Sequence, residues 1–147
     1  MSCSYYHTIH CETSPSCVEK NCIADTLKLI DRLQRQCQSK EKESLCTRCD
    51  KPFLGNSECF YYNTRPITLY SKTGELFTVN YFTNNVLTTS SVFRVEDVKD
   101  CCAKLRILAA NNEGETTTYT STNEFVTVDL NCFCILRCLP DIFLENL

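Results

Sequence analysis

The chain contains few of the residues on which catalytic sites and phosphate-binding loops depend. It has 147 residues, of which two are histidine, three are glycine and none is tryptophan. His7 and His10 are the only imidazole bases available to a cysteine or serine nucleophile, and they lie near the start, where chains are usually poorly ordered. Gly55, Gly74 and Gly114 are isolated, so they form no glycine-rich phosphate loop. We therefore expect no enzymatic activity and no cofactor.

Long apolar segments and clustered positive charge are also absent from the sequence. No apolar run approaches the roughly 18 residues needed to span a membrane. The segment Met1–His7 has neither a basic n-region nor an apolar h-region, so we expect synthesis in the cytoplasm without a signal peptide. The net charge is −3 and the basic residues are scattered, which argues against a nucleic-acid partner.

Cysteine, by contrast, is abundant, with 13 residues in the chain. At this frequency a crosslinked scaffold is the leading explanation. The odd total means that at least one thiol is free, bound to a metal or available to a neighbouring chain. A cytoplasmic protein would normally keep its thiols reduced, so the sequence predicts that this chain meets a more oxidising environment after its synthesis.

The composition divides the chain into two regions. Residues 1–50 hold seven cysteines and both histidines, and we interpret them as a cysteine-rich N-terminal arm. Ser16 and Glu19 fit a capping box, and the apolar residues that follow recur every three or four positions. This pattern predicts one amphipathic helix over about residues 17–37, with an apolar stripe made of Ile23, Leu27, Leu29, Ile30, Leu33 and Cys37.

Residues 51–147 are rich in Thr, Val, Phe, Tyr and Leu, which favour strands. Turns are predicted at 71–75 and 111–114, where glycines can adopt positive φ. Glu96, Asp97 and Asp100 are interpreted as loop residues with turn and cap roles. The predicted fold is mainly β, an antiparallel sandwich or barrel-like domain of six or seven strands preceded by the helix. The predicted strands cover residues 67–70, 76–79, 92–95, 104–108, 116–120, 125–130 and 132–139.

The segment 132–138 has the most informative local cysteine pattern. On a strand, alternation would place Cys132, Cys134, Leu136 and Cys138 on one face. Neighbours two apart on a strand are held about 6–7 Å from each other, at the edge of disulfide reach. We therefore expect these thiols to face another strand, the helix or another subunit. The alternative is that they are small buried hydrophobic residues.

Two other cysteine pairs are less informative about structure and function. Cys101 and Cys102 are adjacent, so we expect one to pack inward and the other to stay accessible. Cys46 and Cys49 form a single C-x-x-C, and zinc sites need four ligands, normally from two such pairs. A zinc-dependent binding module that adds His7 and His10 is the alternative to a structural function. A thiol oxidoreductase is a third alternative, although Lys51-Pro52 blocks the helix that such a motif requires.

Several ordered blocks in the C-terminal half resemble a known family. The blocks are 91–96, 100–108 and 126–134, and two more at 52–55 and 64–70 also fit. Together they are similar to the CotY/CotZ/ExsY family of cysteine-rich spore coat and exosporium proteins of Bacillus and its relatives, over about residues 52–139. Where family members are expected to carry a cysteine, this chain has Glu124-Phe125, which leaves the pairing of Cys132 and Cys134 open.

The resemblance implies a self-assembling structural protein of the spore surface. It implies two-dimensional arrays of hexameric rings, locked by interchain disulfides, and contacts with other coat or exosporium proteins. The protein would be made in the mother-cell cytoplasm and then deposited around the forespore. Residues 51–147 would be the self-assembly domain. The cysteines that we expect to link chains are Cys3, Cys11, Cys17, Cys22 and Cys49. Those that we expect to be intrachain or buried are Cys101, Cys132 and Cys134.

Overall fold

The computed structural model describes residues 20–41 and 62–147. The described part contains one helix near the N-terminus and is otherwise made mainly of antiparallel strands, which confirms the predicted fold class. The helix is α1 (Cys22–Glu41). The strands are β1 (Ile67–Ser71), β2 (Val79–Thr83), β3 (Val86–Ser90), β4 (Phe93–Lys99), β5 (Cys102–Glu113), β6 (Thr116–Asp129) and β7 (Phe133–Cys138).

The strands form two antiparallel sheets. A five-stranded sheet has the order β6-β5-β4-β1-β7, and β2 and β3 pair as a separate two-stranded sheet. β6 and β7 are the outer strands of the larger sheet, so this sheet does not close into a barrel. The sandwich is the part of the predicted architecture that the structure shows.

Helix α1 begins at Cys22, later than the residue 17 predicted from the sequence. Asn21 is the cap, because its side-chain oxygen accepts a hydrogen bond from the Ala24 amide at 3.0 Å. Its Nδ2 group donates to Asn131 at 3.2 Å and contacts the sulfur of Cys101 at 3.8 Å. One side chain therefore starts the helix and attaches it to the sheet. The predicted capping box at Ser16 and Glu19 lies outside the described residues.

The core lies between the apolar face of α1 and the large sheet. Leu27 and Phe93 are fully buried there. Leu29 and Leu33 were predicted to face the core but are 45% and 44% exposed. Gln34, at 4% exposure, takes the inward position and spans two elements: it donates to the Val95 carbonyl at 2.8 Å and accepts from the Arg65 amide at 3.0 Å. Both polar ends of this buried side chain are thereby satisfied.

Three aromatic rings bring the connection after β1 into this core. The ring of Phe77 stacks on Phe93 with centroids 5.4 Å apart and meets Phe133 edge-on at 5.2 Å. Residues 76–79 were predicted to form a strand, but β2 begins only at Val79, and the contact of this segment with β1 is a bridge and one backbone hydrogen bond, from the Phe77 amide to the Leu69 carbonyl. This segment is therefore held by the burial of one aromatic ring and not by a regular ladder of hydrogen bonds.

The β2–β3 hairpin was not predicted from the sequence. Asn84 and Asn85 form its two-residue turn, with φ values of 50° and 64°, and asparagine is one of the few residues that adopts this region easily. The inner side of the hairpin carries Val79 and Tyr81, both 4% exposed, so the hairpin is anchored in the core through these two side chains.

β5 and β6 form a long hairpin that reaches past the rest of the sheet. Pairing continues to Glu113 and Thr116, and Gly114 (φ 65°) makes the turn. Residues 110–118 are exposed on both faces. The sequence predicted two strands, at 116–120 and 125–130, but β6 is one strand with a register shift opposite Arg106 and Leu108. A bulge thus replaces the predicted loop.

Candidate functional site

Seven of the cysteines lie in the described part of the chain, and we take their surroundings as the candidate site. They are Cys22, Cys37, Cys101, Cys102, Cys132, Cys134 and Cys138. Of the expected interchain cysteines, Cys22 is among them, whereas Cys3, Cys11, Cys17 and Cys49 lie outside the described residues. The alternative zinc ligands His7, His10, Cys46 and Cys49 also lie outside them.

Cys101 and Cys132 are the buried members of the set. They are 5% and 7% exposed, and each takes part in a disulfide. The Leu130 amide donates to the Cys101 carbonyl at 2.7 Å, which joins the start of β5 to the turn after β6. Sequence alternation had placed Cys132 on a strand, but this prediction is wrong: Cys132 ends a 3₁₀ turn, Leu130–Cys132, that is capped by the Asp129 carboxylate.

Cys102 and Cys22 are exposed free thiols. Cys102 opens β5 and stands opposite Asp129 in the ladder, directly after the buried Cys101. The adjacent pair is therefore split as strand alternation predicts, with one side chain inside and the other outside. Cys22 is the first residue of α1, where its side chain points to solvent while Ile23 and Ala24 pack inward.

Cys134 and Cys138 are exposed free thiols on β7. Cys134 was grouped with the intrachain or buried cysteines, yet its side chain is exposed, and its sulfur donates to the Ser71 carbonyl at 3.1 Å. The physical reason is a bulge: the β1–β7 register shifts between Tyr70 and Ser71, which leaves Cys134 as the extra residue beside Phe133. Phe133 turns toward the core in its place.

The pKa of the Cys138 thiol departs from its ordinary value. Partial burial raises its pKa, the guanidinium of Arg65 opposes that effect, and the carboxylate of Asp141 adds to it. Arg65 and Asp141 are themselves joined by two hydrogen bonds of 2.7 and 2.9 Å. The net result is a thiol that ionises less readily than an ordinary one.

Apolar side chains are exposed at the tip of the β2–β3 hairpin. We call Phe82, Val86 and Leu87 the hairpin tip; they are 66%, 61% and 56% exposed. Phe82 and Leu87 are direct partners in the ladder, so they share one face. Glu124 fixes the hairpin against β6, because its carboxylate accepts a hydrogen bond from the Phe82 amide at 2.9 Å. Glu124-Phe125 is the pair that stands where family members were expected to carry a cysteine.

A cavity of about 200 Å³ lies between α1 and the segment before β1. Its lining includes Leu33, Cys37, Tyr62, Arg65 and Asp141. The two charged groups in this lining bind each other, so they already satisfy much of their charge.

We find no arrangement of His, Cys, Asp and Glu side chains suited to a metal ion within residues 20–41 and 62–147. In the same ranges, no helix has both the length and the apolarity to cross a membrane.

The described part is a β-rich domain that has buried, bonded cysteines and carries free thiols on its outer surface. The family model described as spore coat protein Z matches residues 10–121. The chain therefore belongs to this spore coat protein family, and membership supports a structural role in the coat at the spore surface. No curated protein and no solved structure matches the chain.

Cys102 and Cys138 are exposed thiols that were named neither as interchain nor as intrachain or buried candidates. Strand alternation predicted that one of Cys101 and Cys102 is accessible, and the structure identifies that residue as Cys102. Cys138 was expected to face another strand, the helix or another subunit, but its position on an outer strand was not predicted. That placement depends on long-range pairing with β1, which no local pattern in the sequence encodes.

Proposed function

We propose that this protein is a non-enzymatic building block that assembles with copies of itself into two-dimensional arrays, which disulfides between chains then fix. Hexameric rings, contacts with other coat or exosporium proteins and deposition from the mother-cell cytoplasm belong to the same proposal. The observation that carries it is the division of the described cysteines. Cys101 and Cys132 are buried and already bonded, whereas Cys22, Cys102, Cys134 and Cys138 are exposed and free.

This division favours bonds between molecules. The two buried cysteines are already bonded, whereas the four exposed thiols take part in no disulfide. Thiols on the outside of a folded domain can react with thiols on another molecule without unfolding either one. A bond between chains also blocks dissociation kinetically, which suits a layer that must withstand heat and denaturant.

The hairpin tip supports the noncovalent part of the proposal. Two paired, largely exposed apolar side chains, Phe82 and Leu87, are costly to leave in water and gain about 1.5–3 kcal/mol each when fully buried. Their hairpin is fixed to the main sheet through Glu124, so a partner meets a preformed surface. We infer that packing contacts of this kind set the geometry before disulfides form.

Negative-stain electron microscopy of the full chain, with and without reductant, tests the proposed function. We expect regular sheets or rings in both conditions, with reductant loosening the material only in part. Boiling in detergent without reductant should leave a ladder of covalent oligomers, and reductant should collapse it to monomer. A dispersed monomer in both microscopy conditions, or monomer alone after boiling without reductant, would contradict the proposal.

A further inference from the structure

β7 is an outer strand whose free edge has defined hydrogen-bonding groups. In the part of the chain that the structure describes, β7 pairs with β1 and with no other strand. The Leu139 amide donates to the Pro66 carbonyl at 2.8 Å, and the same register aligns Arg137 with Thr68. Because hydrogen-bonded and non-bonded pairs alternate in an antiparallel ladder, Leu139 and Arg137 direct their backbone groups toward β1. The backbone groups of Leu136 and Cys138 therefore point outward, where another strand can bind.

The two free thiols of β7 are placed symmetrically on this edge. Cys134 and Cys138 are both exposed, and Leu136 lies midway between them. At about 3.3 Å per residue they are roughly 13 Å apart along the strand, which is beyond disulfide reach, so they cannot bond to each other within one β7. Each of them requires a partner from elsewhere.

A second copy of the same strand provides that partner for both. When two β7 strands meet antiparallel about Leu136, the register places Cys134 of each copy opposite Cys138 of the other. Cys134 is the bulge residue beside Phe133, so its thiol gives up its hydrogen bond to the Ser71 carbonyl to reach that partner. Hydrogen-bonded pairs in such a ladder have Cα atoms about 5.5 Å apart, close to the usual spacing in disulfides. The outward amide and carbonyl of Leu136 bond to the same groups of the second copy. An interface that is complementary to itself in this way is the pattern of a two-fold dimer.

Charge selects this register over its nearest competitor. With the two-fold axis at Leu136, Arg137 faces Ile135 of the second copy, and both side chains are exposed in the single subunit. A shift of the axis to Arg137 would place Arg137 opposite Arg137 and leave no two cysteines facing each other. A shift to Ile135 would place Cys138 opposite Cys132, which is buried and already bonded in a disulfide. Like charges directly opposite each other in a ladder are destabilising.

We propose that β7 is a two-fold interface between copies of this chain, formed by antiparallel strand addition about Leu136 and closed by two Cys134–Cys138 disulfides. The inference rests on the proposed function and names one of its contacts. Main-chain hydrogen bonds supply the attraction, as in other cases of strand addition, and the thiols fix the register. The edge that could recruit foreign strands is thereby covered.

The oxidation requires an external oxidant, for which a small-molecule disulfide such as oxidised glutathione suffices. A thiolate of one copy attacks it, forms a mixed disulfide and releases one small thiol. The facing thiolate of the second copy then attacks the protein sulfur of that mixed disulfide and releases the second small thiol. For each bond, two protein thiols lose two protons and two electrons, and one small disulfide is reduced to two thiols.

Mixed isotopic labelling of the full-length chain tests this pairing directly. Unlabelled and ¹⁵N-labelled protein are mixed under reducing conditions, oxidised with oxidised glutathione and digested with trypsin. Trypsin cleaves after Arg106 and Arg137, so peptide 107–137 contains Cys134 together with the disulfide-bonded Cys132, and peptide 138–147 contains Cys138. Fragment ions that separate residues 132 and 134 assign the new bond to Cys134. We expect disulfide-linked pairs of these peptides in which one member is labelled and the other is not. This pair of one labelled and one unlabelled peptide, the hybrid peptide, should be lost in the variants Cys134→Ser and Cys138→Ser. It should be kept in Cys102→Ser, which removes a matched exposed thiol on the interior strand β5.

Two substitutions at Leu136 separate strand pairing from chance collision of thiols. Leu136→Pro removes an outward amide that β1 does not use, so β7 can stay in the sheet while the added strand loses a hydrogen bond. Leu136→Ala shortens the side chain and keeps the amide. We expect the hybrid peptide to be lost in the proline variant and kept in the alanine variant, with circular dichroism confirming that both are folded. Equal amounts of hybrid in both folded variants would overturn the strand pairing.

The outcomes separate this inference from the proposed function. Arrays in the microscope without the hybrid peptide, or with Cys134 linked to Cys134, overturn the β7 interface and leave self-assembly intact. A monomer that forms no array and no hybrid peptide overturns both. Arrays that contain the hybrid peptide support both.

Discussion

Arg94 and Arg106 stand directly opposite each other on β4 and β5 and share one carboxylate. Glu96 accepts from Arg94 at 2.6 Å and from Arg106 at 3.2 Å. The arginine side chains are 3% and 9% exposed and that of Glu96 is 19% exposed. Two cations are thus held almost out of water around a single anion, with the carbonyls of Asn63 and Thr122 as additional acceptors.

Replacement of the shared carboxylate is expected to destabilise the fold. Glu96→Gln keeps the shape of the side chain but leaves two nearly buried guanidinium groups to repel each other. We expect a loss of about 2–3 kcal/mol in the free energy of unfolding, somewhat below the cost of breaking a fully buried pair because Glu96 retains some solvent. Urea titration followed by circular dichroism, at a concentration below that of assembly, measures it. Glu113→Gln, at the exposed end of β5, should change stability by less than about 0.5 kcal/mol. Equal losses in the two variants would show that the shared carboxylate has no special role.

The ring of Phe77 is expected to be the main anchor of the segment between β1 and β2. Phe77→Ala removes a ring that is 6% exposed and contacts Phe93 and Phe133, so we expect a loss of about 3–4 kcal/mol. Its neighbour Leu76 is 42% exposed, and Leu76→Ala should cost less than about 1 kcal/mol. Thermal unfolding of both variants measures the two losses of stability. A small loss for Phe77→Ala would show that the backbone bridge alone holds this segment.

The hairpin tip is expected to affect assembly without affecting folding. The double substitution Phe82→Ser and Leu87→Ser removes exposed apolar surface, so the unfolding free energy should change little while array growth slows. Light scattering after removal of reductant measures the growth. Leu76→Ser is the control, since it removes one exposed apolar side chain that lies outside the hairpin. If both variants assemble at the unmodified rate, the hairpin tip is not a contact.

The raised pKa of Cys138 predicts a shifted pH profile of thiol modification. In the folded protein, alkylation of Cys138 by iodoacetamide should reach half of its maximal rate at a higher pH than in urea, where burial is lost. Asp141→Asn should lower that midpoint and Arg65→Gln should raise it, because the first removes a charge that raises the pKa and the second one that lowers it. Shifts of the same sign in both variants would contradict the assignment.

The same shift carries a stability consequence with a defined sign. A thiol whose pKa is raised by folding holds its proton to higher pH in the native state than in the unfolded state. The contribution of Cys138 to the free energy of unfolding is therefore fully present below the pKa that its thiol has in the unfolded chain. It is lost as the pH rises through the pKa of the thiol in the folded protein. Cys138→Ser should remove that part of the alkaline decline in stability, which a series of urea titrations at increasing pH measures.

The elements that the sequence predicted well are those that local patterns determine. The turns at Gly74 and Gly114 occur where glycine permits positive φ, and the apolar stripe of α1 buries Ile23, Leu27 and Ile30. The exceptions arise from long-range contacts. Gln34 replaces Leu33 in the interior because Val95 and Arg65 supply hydrogen bonds to it. Tertiary polar partners outweigh helical periodicity at such positions.

The residues of the candidate site also divide into those that local sequence patterns predict and those that depend on long-range contacts. Adjacent Cys101 and Cys102 could be assigned opposite sides from alternation alone, whereas Cys134 depends on a bulge opposite Ser71 that the sequence does not signal. Glu96 was interpreted as a loop residue because acidic neighbours favour turns, yet it lies on β4. Its role there requires Arg106, which comes ten residues later and reaches it only through the β4–β5 register.

The end of the β5–β6 hairpin is a site where the fold can accept inserted sequence. This end, from 110 to 118, is water-exposed on both faces and makes no contribution to the buried core. Exposed turns of this kind tolerate inserted sequence, because the added residues displace no packed side chain. Gly114-Glu115 is therefore a natural point at which to splice in a guest peptide, such as an epitope or an affinity tag, and a particle covered with this protein would then present one guest per subunit.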